Sequence, residues 1–397
     1  MNLEGRIDIS LQPRGDAPAT VTIQSTRPQL AQKLLAGRAP DEVAHLVGLI
    51  FSLCGKAQRV AAEVACAAAQ GSWSRAEKRS AFRHDPAHAA EGATLFRPTV
   101  TDGSLGDDRE AAVLLELAQE HAWRLLLNWP EQAGAPLGVA PDMASLLLLR
   151  QAAGDPARFA ATLDDLLRTT LLGEPAADWL ARDLAGFDAW RRAGLTPTAR
   201  LFAALGDGVD AGISQVALLP SLGRLTDEAA RDLARRALET PAFCAQPLWH
   251  DAPAETGGLA RLAEQPQLAA WIEQRGRGAG ARLLARLLEL AALPDRLLAD
   301  FSETGPALVR GWSLGDNAGI AGVETSRGLL LHVVRLQAGK VAEYRIVAPT
   351  EWNFHPAGAL AQALSGLASG DDLAVRARLV AQSLDPCVAF GIEVCDA

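Results

Sequence analysis

Residues 329–347 read Leu329-Leu330-Leu331-His332-Val333-Val334-Arg335-Leu336, then Gln337-Ala338-Gly339-Lys340, then Val341-Ala342-Glu343-Tyr344-Arg345-Ile346-Val347. The outer runs are rich in Val, Leu, Ile and Tyr, the composition of strands. The four residues between them suit a tight antiparallel hairpin. Pro349 ends the second strand, because proline has no N–H for a ladder. Two helices are expected next, at about 356–369 and 371–383, before a tail containing Asp385-Pro386-Cys387.

Upstream lies a long helical middle, roughly residues 105–300, rich in Ala, Leu and Arg. Helical periods run over Arg109–Leu127, Asp142–Gln151, Pro156–Leu172, Asp227–Leu238 and Ala281–Leu290. No fixed repeat length recurs, so an irregular bundle is expected rather than a solenoid. From Asp41 to Ala69 the pattern is again helical, with Asp41 as N-cap, Gly71 as stop and a break at Cys54-Gly55. Residues 5–25 alternate around Pro13-Arg14-Gly15-Asp16 and read as a hairpin. The fold class is α+β, mainly α, with small antiparallel hairpins near both ends. The expected organisation is a single domain, 1–397, made of a hairpin (1–25), a cysteine-bearing helical region (40–70), a helical middle (105–300) and a closing hairpin, helices and Cys387 tail (305–397).

The chain has 397 residues, 49% hydrophobic and 21% charged, with a formal net charge of -9. That balance argues against a general nucleic-acid binder, which carries a basic face. The N-terminus is charged from the start, with no secretory signal. The run from Leu283 to Leu298 is broken by Arg286, Glu289 and Asp295, so no span crosses a bilayer. A cytoplasmic location is the expectation.

Five cysteines, Cys54, Cys66, Cys244, Cys387 and Cys395, are scattered and form no CxxC pair. Cys66 and Cys244 read as small buried apolar groups, and Cys395 as mobile. Pro386 is expected to hold Asp385 extended and to place Cys387 just past a helix end. From the residues alone, Cys387 is either an inert buried thiol or a redox or metal-binding group. Trp123 and Trp129, in the stretch His121-Ala122-Trp123-Arg124 to Asn128-Trp129-Pro130, form an aromatic pair that suits core packing or a partner-docking patch.

Longer strings carry a resemblance. Glu324-Thr325-Ser326-Arg327-Gly328-Leu329-Leu330-Leu331-His332, the hairpin, and Pro349-Thr350-Glu351-Trp352-Asn353 resemble the C-terminal region of NiFe-hydrogenase large subunits. That family carries E-x-P-R-G-x-x-x-H and P-T-x-W-N there; Ser326 replaces its proline. Asp385-Pro386-Cys387 resembles the closing D-P-C-x-x-C-x-x-H, Leu53-Cys54-Gly55 resembles R-x-C-G-x-C-x-x-x-H, and Leu3-Glu4-Gly5-Arg6 resembles R-I-E-G-H. The matches occur in family order and cover about a third of the chain.

The departures shape the expectation. The second cysteine of each pair, which bridges nickel and iron in the enzymes, is here Ala57 and Phe390. The histidine positions hold Ala61 and Glu393, and Ser52 replaces the arginine. Alanine and phenylalanine offer no lone pair, so four-thiolate ligation is lost and hydrogen turnover with it. No nickel is expected. Such degraded motifs are similar to the HupK/HoxV type of hydrogenase expression/formation protein.

The resemblance implies a non-enzymatic scaffold with a large-subunit-like helical core. It would work with the chaperones that carry the iron unit and with the apo large subunit, away from nucleic acid and membrane. Cys54 and Cys387, which match terminal nickel ligands, would hold an Fe(CN)2(CO) unit as transient cargo. Arg327 would donate to cyanide nitrogens, and Asp385 would lie beside the same site. Glu4 corresponds to a proton-relay position, and His332 to a structural, hydrogen-bonding histidine. Four residues, Val394 to Ala397, follow the last motif position, so no long extension for a maturation endopeptidase is expected. Two other readings stay open: a metal-free docking protein that mimics the large subunit, and a cysteine-poor oxidoreductase subunit.

Overall fold

A computed structural model describes residues 5–14, 17–51, 54–73, 107–134, 137–205, 212–298 and 307–395. Glu4, Ser52 and Leu53 lie outside them. The α+β, mainly α class expected from the sequence holds.

The hairpin at 329–347 belongs to a larger sheet. Strands Val309–Gly315, Ala318–Thr325, Gly328–Gln337 and Lys340–Val347 form a four-stranded antiparallel meander. Ala338 and Gly339, both at positive φ, make the tight turn of the final pair. Asp316 and Asn317 do the same for the first pair, which the sequence reading missed. The strand Ala318–Thr325 is buried from end to end because both faces of the sheet are covered. On one face lies the helix Gly55–Ala69, close enough that a Cβ added at Gly319 would sit 2.4 Å from the Ala69 amide nitrogen. Glycine on the strand and alanine on the helix permit that approach.

The second sheet joins the two chain ends. Arg6–Arg14 pairs antiparallel with Ala17–Ser25, as expected, and also parallel with Ala389–Val394, where Ile7 faces Phe390. Ile7, Ile9 and Leu11 alternate onto one face and pack with Leu360, Leu364 and Val380. The tail therefore closes on the N-terminal strand. Cys395, expected to be mobile, donates its backbone N–H to the Leu11 carbonyl at 2.9 Å.

Among the helices, Asp142, expected as the first residue of its helix, caps Met143–Ala152, whereas the helix Pro40–Ile50 starts one residue before Asp41, with Ala39 as N-cap and proline at its first position. The helix Asp107–Trp123 continues as a π-helical turn, Arg124–Asn128. All thirteen residues of Ala279–Ala291 are buried, including Arg282, Arg286 and Glu289. Charges so placed must be paired, since desolvating a lone ion costs several kcal/mol or more. Among the described residues, no helix is long and apolar enough to cross a membrane.

Candidate functional site

Cys54 is the N-cap residue of Gly55–Ala69. The first free amides of that helix, Lys56 and Ala57, donate to the Glu116 carboxylate at 2.9 Å each. A carboxylate from another helix thus takes the place of a local cap. The Cys54 sulfur accepts a long hydrogen bond, 3.6 Å, from Gln58 Nε2. Gln58 Oε1 meets His332 Nε2 at 2.9 Å, and His332 Nδ1 meets Tyr344 Oη at 2.7 Å. One assignment satisfies all three contacts: Tyr344 donates to His332, His332 to Gln58, and Gln58 to sulfur. His332 is fully buried, and burial lowers it to about 3, so it is neutral. Both of its ring nitrogens are engaged in hydrogen bonds.

Cys387 interacts electrostatically with Cys54. Thr350 Oγ1 donates to the Cys387 sulfur at 3.1 Å and accepts its backbone N–H at 3.3 Å. Thr350 comes from the Pro349–Asn353 segment, so two separate motifs of the sequence meet here. Asn353 fixes the same region, with Oδ1 accepting the Thr256 amide at 2.9 Å and Nδ2 donating to the Arg327 carbonyl.

Arg327 interacts electrostatically with both sulfurs. It is 3% exposed, so a surface strand-end arginine is excluded. It occupies the turn between Ala318–Thr325 and Gly328–Gln337. Gly328 makes that turn possible: its φ is +130°, and a Cβ there would meet Thr256 at 2.5 Å. Arg327 Nη2 pairs with Glu120 at 2.7 Å, and Nε lies 3.3 Å from Asp385. Nη1 is buried and has no hydrogen-bond partner. Burial opposes the Arg327 cation, but Asp385, Glu120 and the two cysteines together raise its pKa.

Cys54 as a residue is partly exposed, yet the atoms packed round its sulfur push the thiol up to about 12. Arg327 works against that rise, and Cys387 adds to it, which places the two thiols in one electrostatic cluster. Cys66 lies in the same helix, about 18 Å along the axis at 1.5 Å per residue, and is buried. Cys244 is buried as well, so both behave as the small apolar groups expected. Among the described residues, no group of three or more His, Cys, Asp or Glu is placed to hold a metal ion.

Asp385 corrects one expectation. Its φ is +55°, left-handed rather than extended. It follows the end of Leu373–Ser383, and its N–H bonds back to the Gln382 carbonyl at 3.0 Å, closing the helix. Aspartate tolerates this conformation better than most residues. Arg124, Arg286 and Arg327 converge on its carboxylate and hold it well below the usual range despite burial.

A buried polar chain runs inward from there, and the sequence reading did not find it. Arg286 Nη1 donates to His121 Nδ1 at 2.8 Å, and His121 Nε2 donates to Glu289 at 2.7 Å. Glu289 takes a two-pronged bond from Arg261, which also reaches Glu324 at 2.9 Å. Glu324 opens the 324–332 string, so that string supplies both the arginine at the sulfurs and the far anchor of the network. Burial first, then Arg286, lowers His121 to about 4. The available signal was Arg286 and Glu289 inside an apolar helix, which the sequence reading used only to exclude a membrane span. Trp129 is core, whereas Trp123 is half-buried beneath Arg150, 5.0 Å from its guanidinium.

The description Nickel-dependent hydrogenase fits the family model that matches residues 281–393. Solved structures similar to this fold include the reduced Ni-Fe-Se hydrogenase from D. vulgaris Hildenborough, at TM-score 0.54 and 15% identity over 94% of each chain. An NAD+-reducing NiFe-hydrogenase in its H2-reduced state also matches at TM-score 0.54 and 15% identity, over 93% of this chain and 92% of that one. These likenesses concern the fold. Full-length relatives are closer in sequence. The hydrogenase expression/formation protein HoxV of Cupriavidus necator is 31% identical over 94% of this chain and 92% of its own length. HupK of Rhizobium leguminosarum bv. viciae is 30% identical over 99% and 97%. The chain therefore belongs to the HupK/HoxV family of hydrogenase expression/formation proteins.

Proposed function

We propose that this protein is a non-catalytic scaffold in hydrogenase large-subunit maturation that transiently holds an Fe(CN)2(CO) unit on Cys54 and Cys387. The observation that carries the reading is the convergence of both thiols on Arg327, whose Nη1 is buried without a partner. Two soft sulfur donors suit a low-spin iron that already carries strong-field ligands. A free guanidinium N–H suits a cyanide nitrogen, which accepts hydrogen bonds. Ala57 and Phe390, at the positions of the bridging cysteines, leave two protein ligands where the enzymes have four. Fewer bonds to the cargo favour its release to a site with more.

In this reading an iron-carrying chaperone loads the site in the cytoplasm, and the nickel-free large subunit accepts the unit. Asp385 would keep Arg327 aimed at the cargo, and His332 would keep Gln58 aimed at the Cys54 sulfur. The test is infrared spectroscopy of protein purified anaerobically from cells that make hydrogenase. Bands from CO and cyanide on iron are expected, and they should vanish in Cys387→Ala. A clean spectrum from cells with active maturation would reject cargo binding.

One observation favours a second reading. With no third ligating side chain near the two thiols among the described residues, the site offers little of its own to a metal. A metal-free docking protein that mimics the large subunit would need none. Under that reading Cys54→Ala and Cys387→Ala leave maturation intact.

A further inference from the structure

Beside Cys387 the protein opens into a cavity of about 490 Å³. Its walls come from the end of Asp107–Trp123 and its π-helical turn, from Met143–Ala152, from Leu373–Ser383 and from residues 386–390. Four arginines line it, Arg124, Arg150, Arg327 and Arg378, against one carboxylate, Glu120. Glu120 already pairs with Arg327. Even with Asp385 counted behind the wall, two guanidinium charges are left over, in a chain whose net charge is -9. Cations gathered at this density repel one another unless an anion joins them.

The leftover charges are identifiable. Arg150 is exposed and stacks over Trp123, and no carboxylate among the described residues pairs with it. Arg378 is exposed on Leu373–Ser383, also without an ion pair among the described residues. At the base of the cavity, Arg327 Nη1 is buried and unpartnered. Planar guanidinium forks recognise carboxylate and phosphoryl oxygens in the same two-pronged way. The volume falls in the range of small-molecule sites and well exceeds what a single monatomic ion needs.

We propose that this cavity, which shares Arg327 and Cys387 with the sulfur site, binds a polyvalent oxyanion gripped by Arg150 and Arg378 at the mouth and by Arg327 at the base. Its occupant covers the Cys387 sulfur, so a bound anion controls access to that thiol. The site stands on its own charges and does not require that an iron unit be carried.

The test uses the full chain with citrate in one arm and pyrophosphate in the other, titrated calorimetrically at constant ionic strength. Saturable one-to-one binding of either anion is expected, with citrate preference marking a carboxylate source and pyrophosphate preference a phosphoryl one. Arg150→Ala and Arg378→Ala, both at exposed unpaired positions, should each weaken binding about tenfold, the scale of one charge-assisted contact. Bound anion should slow alkylation of Cys387 by iodoacetamide while leaving Cys395 unchanged. Cys54→Ala, at a side chain outside the cavity lining, should keep the anion affinity even though it would abolish the infrared bands, which separates this proposal from cargo binding. Absence of saturable binding by both anions, or equal affinity in the double arginine variant, overturns it.

Discussion

Arg327 and Asp385 meet with Nε 3.3 Å from the carboxylate, and both side chains are almost sealed from solvent. The contact ties the turn after Ala318–Thr325 to the end of Leu373–Ser383. It is also the hinge between the sulfur site and the buried polar chain, because Arg124 and Arg286 share the same carboxylate.

Removing that negative charge should be costly. Asp385→Asn keeps the shape but leaves Arg124, Arg286 and Arg327 crowded round a neutral group. Breaking a buried pair of this kind costs about 3–5 kcal/mol. Urea unfolding should show a loss of this size, and a loss under about 1 kcal/mol would mean the three arginines find other partners.

Gly319→Ala tests the seat of the Cys54 helix. The added Cβ would lie 2.4 Å from the Ala69 nitrogen and 2.6 Å from the Ala65 oxygen, both backbone atoms that cannot swing aside. Overpacking on this scale costs about 1–3 kcal/mol or more. Thermal melts should fall accordingly, while Gly339→Ala, at an open turn, should lose less and only through its positive φ.

The hydrogen-bond chain behind Cys54 gives a third prediction. Gln58→Leu fills similar space but leaves His332 Nε2–H buried without an acceptor. An unsatisfied buried donor costs about 1–3 kcal/mol. Tyr344→Phe should cost a comparable amount by removing the donor to Nδ1, and the double variant should cost less than the sum.

Acid should weaken the fold through two histidines. His121 and His332 are neutral when folded, lowered from 6.5 to about 4 and about 3. The unfolded chain therefore takes up protons first as pH falls below about 6.5. Stability is full above that value and declines toward pH 4, by about 2 kcal/mol per histidine at pH 5. Stability measured across pH 5–7.5 should rise with pH, and His332→Gln should flatten part of the slope.

Much of the fold was legible because local rules set it. The 329–347 hairpin, the N-terminal hairpin and the break at Cys54-Gly55 each follow from residue type and turn chemistry. The Val309–Thr325 pair was missed because its strand Ala318–Thr325 is buried on both faces, so no polar alternation marks it. Asp385 was misjudged because the rule for residues before proline was applied without the helix end and three arginines that hold it.

Taken alone, the sequence determined the fold class and the family, since these depend on short-range pattern and motif spelling. The tertiary structure decided which side chains share a site. Cys54, Arg327 and Cys387 come together because a helix seated on Gly319, a turn opened by Gly328 and a tail strand paired with Arg6–Arg14 are packed by contacts distant in sequence. The same packing gathered Arg124, Arg286, His121 and Glu289 into one buried network. Burial and charge pairing arise only when those elements meet, so no local pattern announces them.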